Sequence, residues 1–221
     1  MVRAAFDRDL RTLQDDLLLL GSMVEKAIAR ALDALKNRDL RLSEQVVRDD
    51  LVTNKQRFQL EERCIELIAR QQPAARDLRM LITILHVANE LERMGDYAAG
   101  IGRISLMMGD EPPLKPLIDI PRMAEKASSM LKRSLDALVN RDVVLARQVC
   151  VEDDDVDGLY DQVYRELLVF MIQDPRTIQR ATYLLWVSHN IERIADRATN
   201  IAERVVFLVT GKMEEINVSS Y

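Results

Sequence analysis

The chain of 221 residues holds only two cysteines, seven glycines and six prolines, and 5% of it is aromatic. Each shortage removes a class of structure. Cys64 and Cys150 stand singly and far apart with no Cys-x-x-Cys pair, so neither a disulfide framework nor a zinc–thiolate site is expected, and both read as reduced core thiols. Too few glycines and prolines are present to turn many short strands. Long stretches of Leu, Ala, Arg, Asp and Glu fill the space between them, which predicts an all-α fold of a few long helices. No run of Lys or Arg occurs, and 31 basic residues against 36 acidic ones leave a net charge of −5. Direct binding to nucleic acid is therefore not expected. The longest apolar stretch near the N-terminus, Leu17 to Gly21, follows Asp15 and Asp16 and is far short of a signal-peptide core or a membrane span. The chain reads as soluble and cytoplasmic.

At 48% hydrophobic and 30% charged, the chain can bury a substantial core in one domain or two. Its order is written twice. Ala31-Leu-Asp-Ala-Leu-Lys-Asn-Arg-Asp-Leu-Arg-Leu-Ser-Glu-Gln-Val46 returns as Ser134-Leu-Asp-Ala-Leu-Val-Asn-Arg-Asp-Val-Val-Leu-Ala-Arg-Gln-Val149, an offset of 103 residues. The offset falls to 102 at Pro73 and Pro175 and to 100 at Glu92-Arg-Met-Gly-Asp96 and Glu192-Arg-Ile-Ala-Asp196. This is a tandem duplication with small deletions. Two repeats of this length cannot make a solenoid, so each half, 1–110 and 116–221, is expected to be its own three-helix bundle. Met108 to Pro116, with a glycine and three prolines, is the junction.

Leu10, Leu13, Leu17, Leu20, Val24, Ala27 and Ala31 alternate spacings of three and four, the seam of a long helix packed as in a coiled coil. That helix should end near Asn37-Arg38, with Asp39 capping the next. The second runs toward Arg70 and stops before Pro73. A third, roughly 75–107, carries the first acidic motif. Repeated, this makes six helices, the longest near 48 Å at about 1.5 Å per residue.

At about 100° per residue, Glu92 and Asp96 fall on the arc of Leu78, Leu81, Leu85, Ala88 and Ala99, an otherwise apolar stripe. Arg79, His86, Glu90, Arg93 and Tyr97 mark a different arc that reads as water-facing. Glu192 and Asp196 likewise continue a stripe through Ile178, Ala181, Leu185, Ser188 and Thr199. Carboxylates taken out of water need a cation, a proton or several hydrogen-bond donors. A second layer supports them. Asp153 and Asp157 share an arc with Val149, Tyr160, Tyr164, Leu168 and Met171, and their first-half equivalents are Asp50 and Asn54, the latter in a stripe with Val47, Leu51, Phe58 and Ile65. Each half thus offers two helices whose acid or amide pairs could face one another. Six or more oxygen ligands suit a hard cation such as Mg²⁺, Mn²⁺ or iron, with zinc also open. His189, one turn before Glu192, is a nitrogen ligand or a histidine hydrogen-bonded to a neighbour. The other resolution of the acids is ion pairing with Arg93, Arg103, Arg193, Arg197 or Arg204.

Catalytic constellations are missing. Neither His86 nor His189 has a Glu three residues earlier, which excludes the ligand pattern of ferritin-type di-iron sites. The two histidines occupy non-equivalent positions of the repeat and build no triad, and no glycine-rich phosphate loop occurs. Enzymatic activity is not expected.

Gln72-Pro73-Ala74-Ala75-Arg76-Asp77-Leu78-Arg79, the doubled Glu-x-x-x-Asp motif, and Asn190 to Asp196 followed by Asn200-Ile-Ala-Glu203 closely resemble the PhoU family of phosphate-signalling regulators over essentially the whole chain. The resemblance implies two homologous three-helix bundles, metal ions or clusters held by the acidic motifs, and frequent homodimers. It also implies the partners: the ATPase of a high-affinity phosphate ABC transporter and a membrane sensor histidine kinase, so that the membrane is met only through them. The implied role is to keep the phosphate-starvation response off when phosphate is plentiful. By position, the motif acids are Glu92, Asp96, Glu192, Asp196, Asp153 and Asp157. Asn54 stands where the pattern has an acid, and Gly100 stands where the second half has Asn200. Both departures fall in the first half, whose site is therefore expected to bind metal more weakly.

Overall fold

The computed structural model of the chain describes residues 2–214 and 216. Six helices account for nearly all of it: α1 (Val2–Asn37), α2 (Leu40–Gln71), α3 (Ala75–Met108), α4 (Asp119–Asn140), α5 (Val143–Gln173) and α6 (Ile178–Thr210), with one 3₁₀ turn at Pro175–Thr177. No strand occurs among the described residues. The expected second repeat reaches residue 221, of which 215 and 217–221 lie outside the described residues.

The duplication is visible in the punctuation. Arg38 and Arg141 both take left-handed backbone conformations, φ 56° and 55°, and the following aspartates cap the next helices. Asp39 accepts from the Leu42 amide at 3.0 Å, and Asp142 accepts from Val144 and Leu145 at 2.9 and 3.0 Å. Such caps satisfy amides that have no partner within the helix. Gln72, also left-handed, closes α2 before Pro73.

Leu13, Leu17, Leu20, Val24 and Ala31 of the α1 seam are buried as the spacing predicts. Within each half the three helices pack on one another. The two bundles nevertheless do not keep separate cores. Helix α3 packs on α6 as extensively as on its own neighbours, and α1 reaches α4. Buried residues from all six helices form one continuous apolar cluster. Consequently α3 and α6 each bury two faces, one inside their own half and one against the other half. That second face is where the sequence reading needs correction.

Candidate functional site

The acid pairs of each half do come together, α2 with α3 and α5 with α6. In the second half Glu192 is buried, with only 5% of its surface exposed, as is Asp153. Asp196 and Asp157 are partly buried beside them. Burial pushes Glu192 up to about 7, Asp196 and Asp157 push the same way, and Arg193 and Arg197 oppose. Burial also raises Asp157, helped by Asp196, and raises Asp196 against the pull of Arg193 and Arg197. Burial is the leading cause throughout, and repulsion between the acids adds to it at Glu192 and Asp157. His189 Nδ1 lies 3.3 Å from Glu192 Oε2. Its imidazole is held below its ordinary pKa by burial and by Arg193, so it is neutral at pH 7, as a metal ligand must be.

The first half repeats this with less charge and less burial, since Asp96 is exposed where the sequence placed it on a buried stripe. Burial, then Asp96, pushes Asp50 up to about 6, while Arg103 opposes. Glu92 is raised by burial and by Asp96. Asn54 Nδ2 donates to Asp50 Oδ2 at 3.5 Å. Arg57, which the sequence reading did not single out, reaches to 3.8 Å from Glu92 and pairs with Glu61 at 2.5 Å. Its equivalent in the second half is Tyr160, whose ring lies 6.2 Å from that of His189. Comparing the two halves position by position exposes this exchange of an aromatic for a cation. A cavity of about 320 Å³ between α1, α2 and α3 borders Asp50 and is lined by Ala27, Val46 and Gly95 among others. The second half has Met130 at the position of Ala27 and Ala195 at that of Gly95, both fully buried.

The donor set fits a hard cation. Asp50 Oδ1, Asn54 Oδ1 and Glu192 Oε2 are buried oxygens that accept no hydrogen bond, although Glu192 Oε2 lies 3.2 Å from Arg193 Nε. At that atom the guanidinium neutralises charge without the alignment of a hydrogen bond. As positioned, no three such side chains among the described residues converge into a ready coordination shell. In the second half Arg193 also donates to Asp196 Oδ2 at 2.8 Å. Glu92, Asp96, Asp50 and Asn54 in one half, and Glu192, Asp196, Asp153, Asp157 and His189 in the other, are the residues that could hold an ion.

The packing corrects two readings of helical arcs and places one further residue. Glu90 is not water-facing: its side chain is 15% exposed against 17% for Glu92. It accepts from Arg197 at 3.3 Å and from Asn200 at 3.1 Å, both on α6. On the arc assigned to solvent, Glu90 faces the other half, whereas His86 and Arg93 are exposed as expected. Secondly, Gly100 lies on the seam between the two halves. A β-carbon there would stand 2.8 Å from Asn190 Oδ1, and Asn190 is the repeat equivalent of Glu90. The seam between α3 and α6 therefore pairs position 90 with 200 and position 190 with 100, and glycine makes room for Asn190. Because Asn190 is a flexible, partly exposed side chain that can turn aside, we expect Gly100→Asn to cost no more than about 1 kcal/mol in a urea titration, and Asn190→Ala to remove that cost. Thirdly, Leu51, Phe58 and Ile65 lie on the surface.

Against this geometry, the sequence matches the PhoU domain over residues 17–105 and again over 120–205. The chain belongs to the PhoU family. It is 38% identical over 218 residues to a phosphate-specific transport system accessory protein PhoU homolog of Clostridium acetobutylicum, covering 98% of this chain and 100% of that one. A homolog of the same description from Aquifex aeolicus is 37% identical, covering 93% of both. The crystal structure of PhoU from Pseudomonas aeruginosa superposes with a TM-score of 0.90 at 35% identity, covering 94% of this chain and 100% of that one. That of the phosphate transport system regulatory protein PhoU from Streptococcus pneumoniae gives 0.89 at 30% identity, covering 95% and 99%. With its two PhoU domains, this chain is similar over nearly its whole length to accessory proteins of phosphate transport. Among the described residues, no helix is long and apolar enough to cross a membrane.

Proposed function

We propose that this protein is a cytoplasmic negative regulator of the phosphate-starvation response, acting by contact and without catalysis. It docks on the sensor histidine kinase and on the ATPase of the phosphate transporter, and holds the kinase in its non-phosphorylating state while phosphate is plentiful. Near-complete coverage by relatives described as phosphate-specific transport accessory proteins supports the role. The buried oxygens that accept no aligned hydrogen bond, Asp50 Oδ1 and Asn54 Oδ1 in one half and Glu192 Oε2 in the other, support metal at the acidic motifs, with Mg²⁺, Mn²⁺, iron or zinc as the candidates. A bound cation would cancel the repulsion among Asp153, Asp157, Glu192 and Asp196 and leave coordination positions for a partner's carboxylate. The second half, with Asp157 in place of Asn54 and no counterpart of Arg57, is the tighter site.

A metal-free adaptor is the second reading, favoured by the contacts of Arg193 with both Glu192 and Asp196. Metal storage, in which cation binding is itself the function, gives a phenotype indifferent to phosphate. Two measurements separate the three. Deleting the gene should make a phosphate-starvation reporter constitutive in high phosphate, and an unchanged reporter rejects the regulator. Equilibrium dialysis with metal analysis should find ions in the wild type and none after Glu92→Ala, Asp96→Ala, Glu192→Ala and Asp196→Ala are combined; equal metal in the two proteins rejects the assigned sites.

A further inference from the structure

We infer that the cavity between α1, α2 and α3 binds a small amphipathic anion, an aliphatic monocarboxylate whose chain lies inside while its head meets Lys26 at the mouth. The space of about 320 Å³ has room for about ten non-hydrogen atoms at about 30 Å³ each. Met23, Ala27, Val46 and Val52 supply apolar wall. A cleft of this size, largely apolar with a few polar groups at its edge, is the ordinary form of a small-molecule site.

The duplicated half supplies an internal control. Arg30 and Asp49, an ion pair at 2.7 Å beside the cavity, are repeated as Arg133 with Glu152. Four other lining positions change in one direction. Met23 and Val52 stand where Lys126 and Asp155 pair at 2.8 Å and strap α4 to α5. Ala27 stands where Met130 is buried, and Gly95 where Ala195 is buried. Each exchange takes charge or volume out of the first-half wall. Open space costs stability, because the atoms around it lose contacts, and the second half shows how the same helices close it. Folding does not call for the opening.

Charge selects the occupant and its direction. Lys26 is exposed at the mouth and pairs with no acid among the described residues, whereas Arg30 is taken by Asp49. The counterpart of Lys26 is Ser129, so the spare cation goes with the opening and is not part of the repeated frame. A carboxylate at the mouth complements it. Asp50 lies at the inner wall, its Oδ1 buried and 3.4 Å from where a β-carbon on Gly95 would stand. An anion is repelled there, which keeps the head of the ligand outside and sends the chain in. The same Asp50 would attract an ammonium, so a cationic amphiphile is the competing occupant.

Isothermal titration calorimetry of the full chain in chelator, with octanoate and with octylammonium below micelle formation, tests this apart from any metal at the acidic sites. Wild type should bind octanoate with a dissociation constant on the order of 0.1 mM, the range open to a ligand of about ten atoms in an open cleft. Octylammonium should bind at least about tenfold more weakly. Ala27→Met, which copies the second half, should abolish octanoate binding with an unchanged circular dichroism spectrum. Met23→Lys with Val52→Asp, which rebuilds the strap between the helices, closes the mouth by a separate route and should do the same. Lys26→Glu should weaken octanoate about tenfold without weakening octylammonium. No octanoate binding at millimolar concentration, or equal binding by wild type and both closed variants, overturns the proposal. Preference for octylammonium assigns the cavity to a cation held by Asp50 and also overturns it.

Discussion

Without metal, the Glu192→Gln protein should be more stable than wild type at pH 8, by between about 1 and 3 kcal/mol. The cause is the position of Glu192 in a groove already occupied by acids. Its ordinary pKa of 4.5 is pushed up to about 7, first by burial and then by Asp196. A carboxyl raised on folding contributes stability that is fully present below its unfolded value. That stability is lost as pH rises through the folded value. The window here runs from 4.5 to about 7, and the loss across it is about 3 kcal/mol. Glutamine keeps the shape and remains neutral, at the expense of the ion pair with Arg193, which sets the lower end of the expected gain. Urea denaturation in chelator at pH 5 and pH 8 measures it. Wild type should weaken between the two pH values and the variant should weaken much less. A variant less stable than wild type at pH 8 would mean that Arg193 outweighs burial. Saturating Mn²⁺ should reverse the order, because a cation favours the ionised carboxylate that glutamine lacks.

Removing Glu90 should do the opposite of removing Glu92, although the two acids are two residues apart and equally shielded. Glu90→Ala takes from Arg197 and Asn200 their shared acceptor across the seam, leaving a partly buried guanidinium and an amide without it. Losing one partner of a buried pair costs about 3 to 5 kcal/mol. Residual exposure of both side chains, 15% and 17%, and the remaining attraction of Arg197 to Asp196 reduce that to about 2 or 3 kcal/mol. Glu92→Ala instead removes a carboxyl whose ionisation is opposed by burial and by Asp96, and in the metal-free protein it should change stability by less than about 1 kcal/mol. Parallel thermal melts in chelator decide the matter. Equal losses from the two substitutions would show that Glu90 is an ordinary surface acid.

Both effects bear on regulation. Arg197 is shared between the seam and the second acidic site, since its charge also lowers Glu192 and Asp196 toward ionisation. A cation at that site would relieve Arg197 of one of its two roles. The seam and the site are therefore coupled electrostatically through one guanidinium.

Much of this molecule is written locally. The duplication, the six helices, the Asp39 cap, the stop at Pro73 and the α1 seam follow from spacing and backbone preference, which act within a few residues. The carboxylates at 92, 96, 192 and 196 were legible as an anomaly for the same reason: an apolar stripe interrupted twice at the same phase has no local explanation. What a helical arc does not carry is the identity of whatever lies against it. Glu90 was misassigned because α3 has two buried faces, and only the packing of one bundle on the other turns the second from solvent to seam. Leu51, Phe58 and Ile65 err in the other direction, an apolar line that the fold leaves in water. Periodicity reports which side chains travel together, but the neighbour they meet comes from residues a hundred positions away. That pairing was settled when the two halves closed on a single core.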